Sequence, residues 1–294
     1  MNTTSDLSIL SSVISTFQEP RLSRLNRAIL SIRGALHVFN RPREVVFSFN
    51  GGKDSTLVLH LLRLALQPIE SDEVVRSLSD IRIVYFEPPL DRPNFQEVLS
   101  FITKTEEHLN VKIDILHGGF KQGMSELIKE GARCVIVGTR RIDPDGRFLE
   151  GVFCPTSLNW PPMMRVCPAL DLTYSDVWAV LRSANLPFCS LYSEGYTSIG
   201  SIHDTHKNPS LLISIQDMAE KKEGIISNVN TEKNILEVLS TDHISSQFTT
   251  TTSSSSSSSL NQIEIFLNEA TSGKRTHLPA WFLKNDELER LGRK

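Results

Sequence analysis

Residues 44–55 read Glu44-Val-Val-Phe-Ser-Phe-Asn-Gly-Gly-Lys-Asp-Ser55, and this junction decides the fold. Glu44–Phe49 is a short apolar run rich in β-branched and aromatic residues, the composition of a buried strand. Two adjacent glycines, Gly51 and Gly52, then let the backbone turn tightly without a Cβ in the way. The apolar stretch that starts near Ser55 reads as a helix, so the turn lies at a helix N-terminus. Such an end offers unpaired N–H groups and a positive dipole to an anion. Lys53 adds a point charge, while Ser48, Asn50 and Ser55 add neutral donors. The spacing is neither the G-x-x-x-x-G-K-[ST] of a Walker A loop nor the G-x-G-x-x-G of a dinucleotide site.

Outward from the junction the pattern repeats. Ile81–Phe86, Val111–Leu116 and Arg133–Gly138 read as strands, separated by helices near 94–109 and 124–129. Alternation of this kind predicts right-handed βαβ units and a mostly parallel, doubly wound Rossmann-like α/β sheet. Arg140 and Arg141 leave the tip of the fourth strand, where open α/β sheets place ligands. Upstream, Leu22, Leu25, Ile29, Ile32 and Leu36 follow helical spacing, which makes Arg21, Arg24 and Arg27 the wet face of a helix. Residues 139–169 carry several prolines and read as loop. Thr173-Tyr-Ser-Asp176 resembles a capping box, opening a helix in which Trp178 faces the core. From Ser245 to Ser259 the chain is almost entirely Ser and Thr, too polar to offset the entropy of ordering. A protein-like tail follows, with a short helix between Asn285 and Gly292, and is expected to dock back onto the body. The organisation predicted is a helical segment 1–40, a catalytic domain 41–210, an extension 211–244, a linker 245–262 and a docked tail 263–294.

Composition narrows the function. The 294 residues carry Lys+Arg 31 against Asp+Glu 34, a formal charge of −3. That leaves no basic field for a nucleic acid backbone and no polybasic membrane patch. No apolar stretch is long enough to span a bilayer, and no cationic leader is visible. The four cysteines lack C-x-x-C spacing, so no zinc or iron–sulfur scaffold is indicated. His203 and His206 form H-x-x-H without further ligands and read as loop. A cytoplasmic monomer acting on small molecules is expected.

NGGKDS resembles the S-G-G-x-D-S pyrophosphate loop of the N-type ATP pyrophosphatases, with Asn50 in place of the usual serine. Within that superfamily the chain is similar to the eukaryotic FAD synthases, or FMN adenylyltransferases. The shared words are FSFNGGKDS, GTRRIDP at 138–144, NWPPMMR at 159–165, GYTSIGS at 195–201 and LERLGR at 288–293. The resemblance implies an adenine nucleotide alpha hydrolase-like fold and transfer of the adenylyl group of ATP to FMN, giving FAD and pyrophosphate with Mg²⁺. It implies an ATP site of Ser48, Asn50, Gly51, Gly52, Lys53, Asp54, Ser55, Gly138 and Arg140. Asp54 and Asp143 become candidates for Mg²⁺, although the first suits a helix's first turn and the second an Asp-Pro turn. Asn50, Asp54, Asp143, Arg290 and Arg293 form the implied catalytic set. Arg140, Arg141, Asp143, Arg290 and Arg293 would face the FMN phosphate. Trp160, Met163 and Tyr196 would wall the flavin, with Arg165 on its carbonyls or phosphate. The family often has an aspartate where this chain has Ser157. Two other readings stay open: a phosphoadenylyl-sulfate reductase-type oxidoreductase, and a non-catalytic nucleotide-binding module.

Overall fold

A computed structural model of the chain describes residues 3–68, 77–212 and 277–294. The linker at 245–262, nearly all of the extension at 211–244 and the start of the tail lie outside the described residues. The run after Glu44 forms strand β1 (Val45–Ser48), followed by helix α3 (Lys53–Ala65). Strands β2 (Arg82–Phe86), β3 (Ile113–Leu116) and β4 (Cys134–Ile136) alternate with helices α4 (Gln96–Leu109) and α5 (Gly119–Lys129), as expected. Helix α5 begins five residues before Met124, because Gly118 and Gly119 take positive φ and start the turn early. Two more strands, β5 (Phe153–Pro155) and β6 (Met164–Val166), complete a six-stranded sheet in the order β3-β2-β1-β4-β6-β5. All neighbours pair in parallel except β5, which runs antiparallel to β6.

Strands β5 and β6 correct the expectation of loop throughout 139–169. Each has three residues, too short to display a period; the β4 ladder places β6 by pairing Cys134 with Met164 and Ile136 with Val166, and β6 in turn places β5. Pro155 sits at the end of the outermost strand, where its missing N–H leaves no ladder bond unmade. Side-chain alternation splits the core across the sheet. Val45 and Phe47 face α3, α4, helix α2 (Arg21–Val38) and helix α6 (Tyr174–Ser183), while Val46 and Val135 face Met124 and Leu127 of α5. Helix α1 (Thr3–Thr16) opens the segment 1–40 that was read as helical, and it buries Leu10 and Ile14 in the larger core. The helices of 1–40 therefore share one core with the sheet.

Helix α6 also revises the reading of the α2 arginines. Thr173 and Asp176 form the expected capping box, with Asp176 N donating to Thr173 Oγ1 at 3.1 Å. The Asp176 carboxylate is fully buried, so it needs compensating charge. Arg24 supplies it from Nε at 2.7 Å and Nη2 at 2.9 Å, and Arg21 Nε lies at 2.9 Å. Arg21 and Arg24 thus clamp α2 to α6, and only Arg27 is left on the solvent side. Among the described residues no helix is long and apolar enough to cross a membrane.

Inside α3, His60 and Arg63 are buried, with Arg63 Nη1 donating to His60 Nδ1 at 2.8 Å. Burial, reinforced by the neighbouring charge of Arg63, pushes the His60 imidazole down to about 3. An unfolded histidine titrates near 6.5, so below that pH the unfolded chain binds a proton that the folded chain refuses. Stability should fall by up to ~1.4 kcal/mol per pH unit from this group as pH drops from about 6.5 toward 3. Urea unfolding between pH 7 and 5, above the carboxylate range, should show that loss in the wild type and a flatter profile in His60→Gln. Equal slopes would count against the assignment.

Candidate active site

The turn between β1 and α3 is held from within. Gly51 adopts φ 72°, a left-handed conformation that glycine takes without strain. Asn50 Oδ1 accepts from Gly52 N at 3.0 Å and from Ser55 Oγ at 2.6 Å, which leaves its NH₂ as the end that can donate outward. Lys53 N donates to the Tyr192 hydroxyl at 2.9 Å. The Gly52 and Lys53 amides are therefore spoken for. Those of Asp54 and Ser55 have no acceptor among the described residues, as helix geometry dictates for a first turn. Gly138, just beyond β4, lies over this end. A Cβ there would sit 2.7 Å from Ser55 N, so glycine keeps open a position from which an oxygen could accept that N–H.

Beneath the turn, four charged side chains from three parts of the chain meet. Lys53 Nζ contacts Asp54 Oδ2 at 3.0 Å and makes a very short contact with Glu289. Arg140 Nε lies 2.7 Å from Asp54 Oδ1 without aiming its N–H at that oxygen, and Arg140 Nη2 grips both Glu289 oxygens. Lys53, Arg140 and Glu289 are 1–2 % exposed. Burial alone would favour a neutral Asp54, but the Arg140 and Lys53 charges outweigh it and hold the carboxyl below its ordinary range. Likewise Arg140 gains more from Asp54 and Glu289 than burial removes, so it stays protonated. With two cations and two carboxylates, the quartet is neutral.

Around it lies a more open tier. Asp143 Oδ2 accepts from Arg140 N at 2.8 Å, and Oδ1 faces Arg290 Nη1 at 3.2 Å. Arg293 Nη2 lies 3.1 Å from Asp204, and its Nη1 reaches Ser198 Oγ at 3.5 Å. These four groups keep 19–29 % side-chain exposure. Both tail arginines come from the docked segment foreseen in the sequence, although its helix Asp286–Arg290 is 3-10 rather than α. Thr205 bridges to Arg293 and Leu212 to His277, while Thr197 Oγ1 donates to Glu289 O at 2.6 Å. Trp281 packs on Trp178 and Phe188, and the Tyr174 hydroxyl donates to Ala280 O at 2.8 Å. The H-x-x-H segment serves here through its backbone: His206 N donates to Gly292 O at 2.7 Å.

The predicted ATP residues and Asp143, Arg290 and Arg293 are thus gathered at the carboxyl ends of β1 and β4. Arg141 points elsewhere, pairing with Asp171 at 2.7 Å and donating to Leu149 O at 3.0 Å. Trp160 is partly exposed and stands edge-on to Phe120, which packs against Phe86 at the end of β2. Met163 is 5 % exposed and belongs to the smaller core, near Ala132 and Arg133 just before β4. Arg165 of β6 reaches Cys154 Sγ at 3.8 Å, with its Nε buried and unbonded. Tyr196 lies against Phe95, and among the described residues no contact joins it to Trp160. Glu289 and Tyr192 went unnoticed in the sequence. Glu289 stands inside LERLGR, but nothing local tells that its partner lies 236 residues away.

The phosphoadenosine phosphosulfate reductase domain model matches residues 120–207. A probable FAD synthase of Schizosaccharomyces pombe is 32% identical over 190 residues, 63% of this chain and 70% of that protein. The chain belongs to the FAD synthase family. A probable FAD synthase of Caenorhabditis briggsae is 36% identical over 179 residues, 60% of this chain. The chain spans about a third of that nematode relative's length (33%). In structure, this FAD synthase family member resembles yeast FAD synthetase in complex with FAD, with TM-score 0.63, 25% identity and coverage of 99% and 98% of the two chains.

Tail docking depends on Gly292, because a Cβ there would lie 2.3 Å from His206 O. Gly292→Ala should therefore loosen residues 277–294 and speed tryptic cleavage after Arg290 and Arg293 severalfold. Unchanged cleavage at matched folded fraction would show that the contact does not hold the tail.

Proposed function

We propose that this chain is an FMN adenylyltransferase that converts ATP and FMN to FAD and pyrophosphate. The observation that carries the reading is the meeting of the NGGKDS turn, the Arg140–Asp143 turn and the tail's Arg290 in one polar site. The FAD synthase names of the relatives and the FAD bound in the yeast structure support it. The FMN phosphate attacks the α-phosphorus of ATP, a new P–O bond forms, and the bond to the departing pyrophosphate breaks. That phosphate has a second pKa of about 6 and is mostly dianionic near neutrality, so no strong base is required. Catalysis then rests on alignment and charge stabilisation.

The Asp54 and Ser55 amides, the Asn50 NH₂ and the first-turn dipole suit the leaving pyrophosphate. Arg290 and Arg293 offer planar forks to the phosphates, at the cost of exchanging their contacts with Asp143 and Asp204. Trp160 with Phe120 supplies an apolar wall for the flavin, Tyr196 a second surface, and Arg165 a donor toward its polar edge. Arg141, tied to Asp171, acts on loop structure. Asp143 fits a Mg²⁺ ligand, being partly exposed with lone pairs to spare. Asp54 fits less well, since each oxygen already faces a cation and Oδ1 is buried. Among the described residues no group of three or more His, Cys, Asp or Glu could hold a metal, so phosphates and water would complete the shell. Bound there, Mg²⁺ would neutralise phosphate charge.

A thiol-based reductase is disfavoured. Burial pushes the Cys134 and Cys167 thiols up to about 12 and Cys189 up to about 11, which keeps them protonated and unreactive. A cytoplasmic monomer acting on free ATP and FMN, without nucleic acid or membrane partners, belongs to the same proposal.

Incubation with ATP, FMN and Mg²⁺ should yield FAD and pyrophosphate in equal amounts, and absence of both from folded protein would overturn the reading. Asp143→Ala should lower kcat/KM by ~10²-fold, the scale of losing one group that stabilises the transition state. Its Tm should shift by only a few degrees, whereas a collapsed Tm with normal activity per folded molecule would make Asp143 structural.

A further inference from the structure

Glu289 belongs to none of the roles assigned above, yet it is the most enclosed carboxylate in the site. Its side chain is 2 % exposed and touches both Lys53 and Arg140, the two cations nearest the anion-binding turn. Its own carbonyl is held by the Thr197 hydroxyl at 2.6 Å, and the neighbouring Leu288 carbonyl by Asn208 Nδ2 at 2.8 Å. The carboxylate is therefore built in and not carried on a swinging segment. Without Glu289, the charges beneath the turn would be Lys53 and Arg140 against Asp54 alone, an excess of one positive charge at low dielectric. Buried charges act on one another far more strongly than solvated ones.

We infer that Glu289 is a positioning residue that serves as an internal counter-anion, pairing with Lys53 and Arg140 so that the turn releases pyrophosphate instead of trapping it. This rests on the adenylyl-transfer reading, because pyrophosphate is the product that must leave from the turn. Two consequences follow from charge alone. Loss of the Glu289 charge makes the turn a stronger anion site, and loss of the Lys53 charge makes it a weaker one. Removing both restores the balance, since one cation and one carboxylate remain.

The test measures inorganic pyrophosphate binding by calorimetry, together with steady-state kinetics, on the full chain. Glu289→Gln keeps the side chain's size and should bind pyrophosphate on the order of tenfold more tightly, with kcat and the KM for ATP both lowered. Lys53→Met should bind it more weakly by a similar factor, and the Lys53→Met, Glu289→Gln double variant should return close to the wild type. Damage to the fold alone would weaken binding in all three, so that pattern would overturn the inference. If Glu289→Gln fails to fold, the double variant, whose cluster is neutral, is compared with Lys53→Met. Tighter binding by the double variant supports the counter-anion, and equal or weaker binding overturns it. A wild type that binds neither pyrophosphate nor ATP would instead overturn the adenylyl-transfer reading, and the inference with it.

Discussion

Four charges buried in one place make the rest of this molecule conditional. Lys53, Asp54, Arg140 and Glu289 reach the same spot from the start of α3, the exit of β4 and the C-terminal tail. Each would be strongly destabilising there without its partners, because removing one member of a buried ion pair typically costs about 3–5 kcal/mol. The turn between β1 and α3, the loop after β4 and the tail are thus obliged to assemble together. That dependence explains how a tail of eighteen described residues, 277–294, can carry arginines into a site formed by the sheet.

Apolar contacts set the position that the charges then fix. Trp281 of the tail packs tilted against Trp178 and edge-on to Phe188, and Ala280 is fully buried next to Tyr174. Helix α6 bears Tyr174 and Trp178, and α6 is itself held to α2 through Asp176. A chain of contacts therefore runs from the N-terminal helices through α6 to the tail and its arginines. On the sheet side, close approach is controlled by glycines: Gly138 against Ser55, and Gly200 where a Cβ would lie 2.1 Å from Arg293 Nη2. A side chain at either position would displace a group that the site uses.

Much of the fold was legible because strands β1 to β4 and their helices obey local rules. Val45–Ser48 and Arg82–Phe86 are apolar runs bounded by turn residues, and their periodicity survives any tertiary context. Strands β5 and β6 were not legible, since neither lies in an apolar run like Cys134–Ile136, and each depends on a distant ladder: β4 pairs with β6, and β6 with β5. The arginines of α2 were misread for a related reason. Helical spacing told which face they occupy, but not that Asp176 waits there, 152 and 155 residues further on. Short motifs placed Asn50–Ser55, Asp143 and Arg290 in one region, whereas Glu289 and Tyr192 take their meaning from partners distant in sequence. Met163 was read as a flavin wall from its place near Trp160 in a loop, and its side chain packs in the smaller core.

The division between buried and exposed charge gives the site two functions at once. A formal charge of −3 means that no overall field draws phosphates in, so local groups must do the holding. If all the cations were free, the turn would bind anions strongly and release them slowly. If all were buried in pairs, none could answer a ligand. Here Lys53 and Arg140 are committed to carboxylates that solvent barely reaches, whereas Arg290 and Arg293 pair with Asp143 and Asp204 at 3.2 and 3.1 Å in partial contact with water. Exchange of a partly exposed contact for a phosphate costs less than breaking a buried one, because solvent screens the charges it touches. On the adenylyl-transfer reading proposed above, shape is therefore assigned to the inner pairs and ligand exchange to the outer ones, and the tail, with Glu289 in one set and Arg290 in the other, joins the two.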